Sequence, residues 1–321
     1  MPGFTTHYLF GLNTYKTLQK DALKKTICKN HAAYSLGLQG SDIFFYFLPT
    51  YLVHKSNPGS VAHVKNTNKF LHYLIESRKL FPDKKEEKIA QAYILGFIGH
   101  YLLDCSCHPY IYSRTNYIGR KPNYYGNHIT LETDIDSSLL SLYKHKKPSS
   151  FRQESTIVLT RLQLRTIATI LYYVFSKTYP GLKIHYTTIR MAIRSIQLGT
   201  RLLRDPLGKK KVLIRAAEGI AVGYPVLSPM IASDSLRFFI DPLNMHHHPW
   251  HNPFFDMDAY DESFLDLIGS AQNDYVAMLR SLYQLFCSKV HTPIEKSRHR
   301  KILAALGNKS YHSGLDSSIP S

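Results

Sequence analysis

His100, Asp104 and His108 recur every four positions in Gly96-Phe97-Ile98-Gly99-His100-Tyr101-Leu102-Leu103-Asp104-Cys105-Ser106-Cys107-His108. In a helix that spacing places them along one face. Two imidazoles and a carboxylate in an otherwise apolar run are costly to bury unless hydrogen bonds or a cation satisfy them, and this donor set suits zinc. A second pair, His128 and Glu132, repeats the four-residue step within Asn127 to Asp136. One such pair alone usually means a surface pair or a salt-bridged histidine; two pairs so close together point to metal. Asp42 in Gly40-Ser41-Asp42, His7 near the chain start and His63 in Gly59-Ser60-Val61-Ala62-His63 would each read singly as a cap or a core polar group. Together with the two pairs they supply ligands for more than one ion.

Helices must carry these groups. Apolar residues at helical spacing, such as Ile89, Tyr93, Phe97 and Tyr101, fill most of the chain, and sustained two-residue alternation is scarce. The expected fold is all-α, with helices near His7 to Leu18, Asp21 to Tyr34, Ser60 to Glu76, Lys85 to Cys107, His128 to Leu142, Gln153 to Ser176, Tyr186 to Leu203, Lys209 to Val222 and Glu262 to Ser288. Breakers at Asn57-Pro58-Gly59, Phe81-Pro82, Tyr179-Pro180-Gly181, Asp205-Pro206 and Pro242 to Pro253 separate them, and none is long enough to be a linker. A single domain over 1–321 is expected, with the metal-ligand half in 1–145 and supporting helices in 146–321. The small, polar tail from Leu306 is left undecided between packed and loose.

Composition narrows the partners. The chain has 321 residues, 44% hydrophobic and 20% charged, which suits a folded globular protein. Its net charge of +17, from 40 Lys and Arg against 23 Asp and Glu, favours phosphate-bearing partners. Cys28, Cys105, Cys107 and Cys287 lack the spacing of a secreted disulfide scaffold and fit a reducing compartment. The amino terminus shows no export signal and Pro2 stands where myristoylation needs glycine, so a cytoplasmic chain is expected. The longest apolar runs, Ile94 to Leu103 and Ile167 to Phe175, fall short of the roughly 20 residues needed to cross a bilayer. Arg190, Arg194, Arg201 and Arg204 share one helical face and precede Lys209-Lys210-Lys211, which reads as a solvated face or as peripheral contact with an anionic membrane.

In this ligand order the sequence resembles the zinc-dependent phospholipases C, all-helical enzymes that hold three zinc ions in a cleft. The resemblance rests on Thr5-Thr6-His7, Gly40-Ser41-Asp42, Gly59 to His63, Gly99-His100 to Asp104 with His108, and His128 to Glu132. Weaker echoes lie in Pro249-Trp250-His251-Asn252-Pro253, Ser263 to Leu267 and Gly307 to Tyr311. Carried over by position, it implies one zinc on Asp42, His63, His100 and Asp104, and a second on His108, His128 and Glu132. His7, with Asp104 as a bridge, would hold a third. Secreted members complete that third site with an amino-terminal Trp, for which Met1 or Pro2 would have to substitute here. His54 or His72 could take the place of His63.

Clustered zinc ions neutralise phosphoryl oxygens, lower the pKa of a bound water and stabilise a leaving oxygen, which is phosphoester hydrolysis. The resemblance implies phospholipid cleavage to diacylglycerol and a phosphorylated head group, with Asp42 as general base. Phe4, Phe44, Phe45 and Tyr46 are expected as an apolar lip for acyl chains, or else as core aromatics. Two other readings compete: a single-strand nuclease or phosphodiesterase using the same metals on nucleic acid, and a non-catalytic helical metal-binding protein. No strand-rich block follows Ser288, so the lipid-docking β-sandwich of membrane-attacking secreted members is not expected.

Overall fold

The computed structural model describes residues 3–47, 49–50, 57–116, 124–221, 223–235, 237–255 and 259–318. Twelve α-helices make up most of it: α1 Phe4–Thr17, α2 Ala22–Lys29, α3 His31–Gly37, α4 Pro58–Val64, α5 Thr67–Glu76, α6 Lys84–Arg114, α7 Tyr124–Lys144, α8 Arg161–Thr178, α9 Tyr186–Leu202, α10 Lys209–Ala221, α11 Phe264–Phe286 and α12 Pro293–Leu306. The fold is all-α. The only described sheet is a two-stranded antiparallel ladder, β1 Trp250–His251 against β2 Ala259–Tyr260, inside the Pro-rich stretch that sequence marked as a breaker.

Helix α6 is the axis. From Ile89 to Tyr112 it is buried almost without interruption, as expected of a helix that is apolar on every side. Asp83 starts it by accepting from Lys85 N and Glu86 N at 2.9 and 3.0 Å. Helix α3 crosses it backbone to backbone: a Cβ on Gly96 would lie 2.2 Å from the Tyr34 carbonyl, and one on Gly37 would lie 2.3 Å from that of Tyr93. On another side Tyr275 of α11 donates to Leu95 O at 2.8 Å. Buried apolar residues from both halves of the sequence form one continuous core around this axis.

Several element limits differ from expectation, each for a local reason. The helix expected over Asp21 to Tyr34 is two, because Asn30 leaves helical geometry and turns its amide onto Thr26 O. The one expected over Ser60 to Glu76 breaks at Asn66, which is left-handed at φ 54°. Helix α6 runs past Cys107 to Arg114 through Pro109. Helix α8 begins at Arg161 rather than Gln153, where Thr160 and Gln163 form a reciprocal capping box. Helix α12 was not anticipated, although Thr292-Pro293 followed by Glu295 is a start signal, with Glu295 N donating to Thr292 Oγ1. Beyond it the tail packs closely, with Tyr311 fully buried.

Candidate metal centre

Five separate pieces of chain converge on the second half of α6. Helix α1 brings His7, a short 3-10 turn over Gly40–Phe44 brings Asp42, α4 brings His63, α7 brings His128 and Glu132, and α6 itself brings His100, Asp104 and His108. A four-residue step advances a helix by about 6 Å and overshoots a full turn by about 40°, so the α6 strip drifts round the axis as it rises. His100 and Asp104 therefore face one group of ligands and His108 faces the next.

In the first group His63 Nε2 lies 3.2 Å from Asp42 Oδ1 and 3.5 Å from Asp104 Oδ2. His100 Nε2 lies 3.3 Å from Asp104 Oδ2 and 3.7 Å from Asp42 Oδ1. His7 Nε2 approaches the other Asp104 oxygen at 3.1 Å, so that carboxylate is shared. In the second group His128 Nε2 is 2.8 Å and His108 Nε2 3.9 Å from Glu132 Oε1. Ligand atoms cluster as His7 with Asp42 and His100, as His63 with His100 and Asp104, and as His108 with His128 and Glu132. His72, by contrast, is half-buried and stacked on His299 at 4.9 Å, away from this cluster. His54 lies outside the described residues.

The chemistry of these atoms fits a divalent cation. His63 Nδ1 lies 2.6 Å from Gly59 O, and His108 Nδ1 lies 2.6 Å from Tyr311 O. A carbonyl can only accept, so both Nδ1 atoms carry hydrogen and Nε2 is the nitrogen each ring would turn to a cation, with His63 giving up its second proton as the cation binds. Both oxygens of Asp104, Asp42 Oδ1, both nitrogens of His7 and His100, and Nε2 of His63 and His108 make no hydrogen bond among the described residues, yet all are buried. Such a concentration of desolvated acceptors is satisfied by positive charge. Burial alone would depress the His63 imidazole, but Asp104 and Asp42 push it up to about 9. Burial raises the Asp42 carboxyl, and His63 pulls it back.

Neighbouring residues hold the ligands still. Gly40 sits at φ +51° with the His100 ring so close that a Cβ would lie 1.9 Å from its Cδ2. Asp136, one turn beyond Glu132, accepts from Thr5 N at 3.0 Å, Thr6 N at 2.8 Å and Thr6 Oγ1 at 2.6 Å, anchoring the start of α1 beside His7. The tail contributes two groups that sequence reasoning did not single out as site residues. Tyr311 lies against His63 at 4.8 Å, and its N–H donates to His63 O. The His312 ring sits 5.9 Å from that of His63 and 6.0 Å from that of His108. A tyrosine and a histidine in a polar tail carry no periodicity to mark them.

The cluster opens into a cavity of about 340 Å³. Asp42, His63, His128, Glu132 and His312 line its polar end. Of the expected lip, Phe4, Phe45 and Tyr46 reach the cavity, with Ile129, Leu140, Phe151, Leu203 and Met230 extending the apolar wall. Phe44 does not. It is wholly buried, edge-on to Phe175 at 5.1 Å, because the 3-10 turn that presents Asp42 points the next-but-one side chain into the core. Of the basic stripe, Arg204 lines the cavity, Arg194 and Arg201 are exposed, and Lys211 is buried rather than surface-facing.

The molecule is thus an all-helical protein with a buried histidine and carboxylate cluster at the foot of a half-apolar cavity. Residues 6–178, just over half of the chain, match the family model for zinc-dependent phospholipase C. The chain belongs to that family. No curated protein and no solved structure shows significant similarity to it. His7, Asp42, His63, His100, Asp104, His108, His128 and Glu132 all fall within the matched span, whereas Tyr311 and His312 lie outside it.

Proposed function

We propose that this chain is a zinc-dependent phosphoester hydrolase of phospholipase C type, cleaving a phospholipid to diacylglycerol and a phosphorylated head group. One zinc would be held by Asp42, His63, His100 and Asp104, another by His108, His128 and Glu132, and a third by His7 with Asp104 as bridge. Bound zinc supplies charge neutralisation at the phosphoryl oxygens and an acidified water. Asp42 positions and deprotonates the attacking water, for which its buried carboxyl edge at the cavity floor is suited. Phe4, Phe45 and Tyr46 receive the start of an acyl chain.

The observation that carries the reading is the cavity's two-sided wall. Titratable ligands crowd one end, while Ile129, Leu140, Phe151, Leu203 and Met230 offer aliphatic and aromatic surface along the rest. That pairing suits a phosphate joined to hydrocarbon; Tyr112, Tyr124 and Tyr125 also line the wall and offer stacking faces, which is why the nuclease reading is tested beside it. The free thiols of Cys28, Cys105, Cys107 and Cys287 suit a cytoplasmic enzyme, and the basic, apolar exterior suits peripheral work on an anionic membrane surface. No described helix is long and apolar enough to cross a membrane.

The test is a substrate panel on zinc-loaded protein: phosphatidylcholine and phosphatidylethanolamine in mixed micelles, and single-stranded DNA. Release of phosphorylated head group is expected, reduced at least ~100-fold by Asp42→Asn. Nucleotide release without lipid cleavage would replace this reading with the nuclease. No turnover of any phosphoester by a zinc-loaded chain would favour a binding protein.

A further inference from the structure

Helix α10 is oriented the wrong way round for a helix on a water-facing surface. Its buried side chains are Lys211 and Glu218, seven residues apart and so on one face. Lys211 Nζ donates to Ile231 O at 2.9 Å, and its backbone N–H donates to Asp205 Oδ2 at 2.8 Å. Glu218 accepts from Leu227 N, Ser228 N and Ser228 Oγ. The opposite face carries Leu213, Ala217 and Ile220, all exposed, with Leu213 at 72% and Ile220 at 91%. An ordinary surface helix buries its leucines and shows its lysines. This one anchors itself by polar bonds and leaves its hydrocarbon outward.

The surroundings continue the pattern. Leu207 before the helix is 77% exposed, Val212 56% and Ile240 93%. Lys209 lies four residues before Leu213, hence on the same side, and is exposed. Lys210 Nζ reaches back to Leu202 O and Arg204 O at 2.7 and 2.8 Å. Arg215 covers the Phe238 ring at 4.6 Å. Both ends of α10 are therefore fastened near the cavity wall: the first to Arg204, which lines it, and the second to Ser228, two residues before the lining Met230.

We propose that α10 docks the protein on an anionic phospholipid surface, with Leu213, Ala217 and Ile220 entering the head-group and acyl boundary and Lys209 at head-group level. Charge complementarity selects this occupant: exposed lysine and arginine flank the apolar stripe on a chain of net charge +17, the composition of an interfacial helix. The bonds of α10 to Arg204 and to Ser228 and Ile231, on either side of Met230, set the cavity mouth beside that surface. The inference deepens the phospholipid reading above and rests on it for its purpose, while its test reads binding alone.

Full-length, zinc-loaded protein is sedimented with vesicles of pure phosphatidylcholine and of equal parts phosphatidylcholine and phosphatidylserine. Binding to the phosphatidylserine vesicles, weakened by salt, is expected. The double variant Leu213→Glu, Ile220→Glu should lower the partition constant at least ~10-fold. Lys209→Glu should lower it about 5-fold. Ile220→Glu alone, at an almost fully exposed position, guards against a folding defect, and circular dichroism and turnover of a water-soluble phosphodiester should be unchanged in all three. Wild-type protein left in the supernatant with both vesicles, or a double variant that pellets like wild type, overturns the proposal. So does sedimentation velocity showing that the stripe joins two copies of the chain without vesicle binding. Loss of soluble-substrate turnover in the wild type would instead count against the hydrolase reading.

Discussion

His108 donates from Nδ1 to the backbone carbonyl of Tyr311 at 2.6 Å, joining a candidate ligand on the central helix to the segment after α12. That bond fixes the imidazole's tautomer and aims Nε2 at Glu132. Asn252 in turn holds the segment by donating to Ser313 O at 3.0 Å. Deleting residues 307–321 should therefore weaken zinc binding by about 10–100-fold, the usual cost of losing an outer partner to a metal-bound histidine. Asn252→Ala, which only loosens the segment, should give a smaller loss in the same direction. Competition with a chelator measures both.

At Gly40 a side chain would have to occupy the volume of the His100 ring, and the backbone already sits at φ +51°. Gly40→Ala should cost about 1–3 kcal/mol in chemical denaturation and lower zinc occupancy, because the ring cannot stay where it is. An unchanged variant would mean that His100 has room to spare.

Asp136 receives three hydrogen bonds from Thr5 and Thr6 and is not itself among the candidate ligands. Asp136→Ala should destabilise by about 1–3 kcal/mol through unsatisfied amides at the start of α1. His7 rides on that turn, so a third zinc, where present, should be lost before the other two, as read by metal analysis after mild dialysis.

Burial pushes the Lys211 ammonium down to about 8 from an ordinary 10.5. Between those values the unfolded chain binds the extra proton, so this lysine's contribution to folding becomes more favourable as pH rises through the window and is least favourable below about 8. Urea unfolding of wild type and Lys211→Met should show the wild type gaining on the variant from about pH 8 to pH 10. A constant difference would contradict a buried charge.

Much of this arrangement was legible in the residues themselves. His100, Asp104, His128 and Glu132 were readable because a four-residue step on a helix is a geometric statement, and the helices were readable from their apolar period. The sequence favours His63 with His54 or His72 as replacements, since which helix face meets the cluster is a matter of tertiary packing; the break at Asn66 separates His63 from His72, which stacks on His299 instead. Phe44 looked like its neighbours Phe45 and Tyr46 until the 3-10 turn sent it inward. The roles of Tyr311, His312 and Asp136 depend on contacts across 100 residues or more, which no local pattern encodes. The reversed face of α10 was hidden for a related reason: Lys209-Lys210-Lys211 reads as a uniformly solvated run, and only the Asp205 and Ile231 acceptors draw Lys211 in.

The zinc content of chain purified without chelator bears most directly on all of this. Inductively coupled plasma mass spectrometry should find about two or three zinc ions per chain, with His100→Ala and Glu132→Ala each lowering the count. Less than about one ion per wild-type chain, restored by no added zinc, would contradict the metal centre and the hydrolysis built upon it.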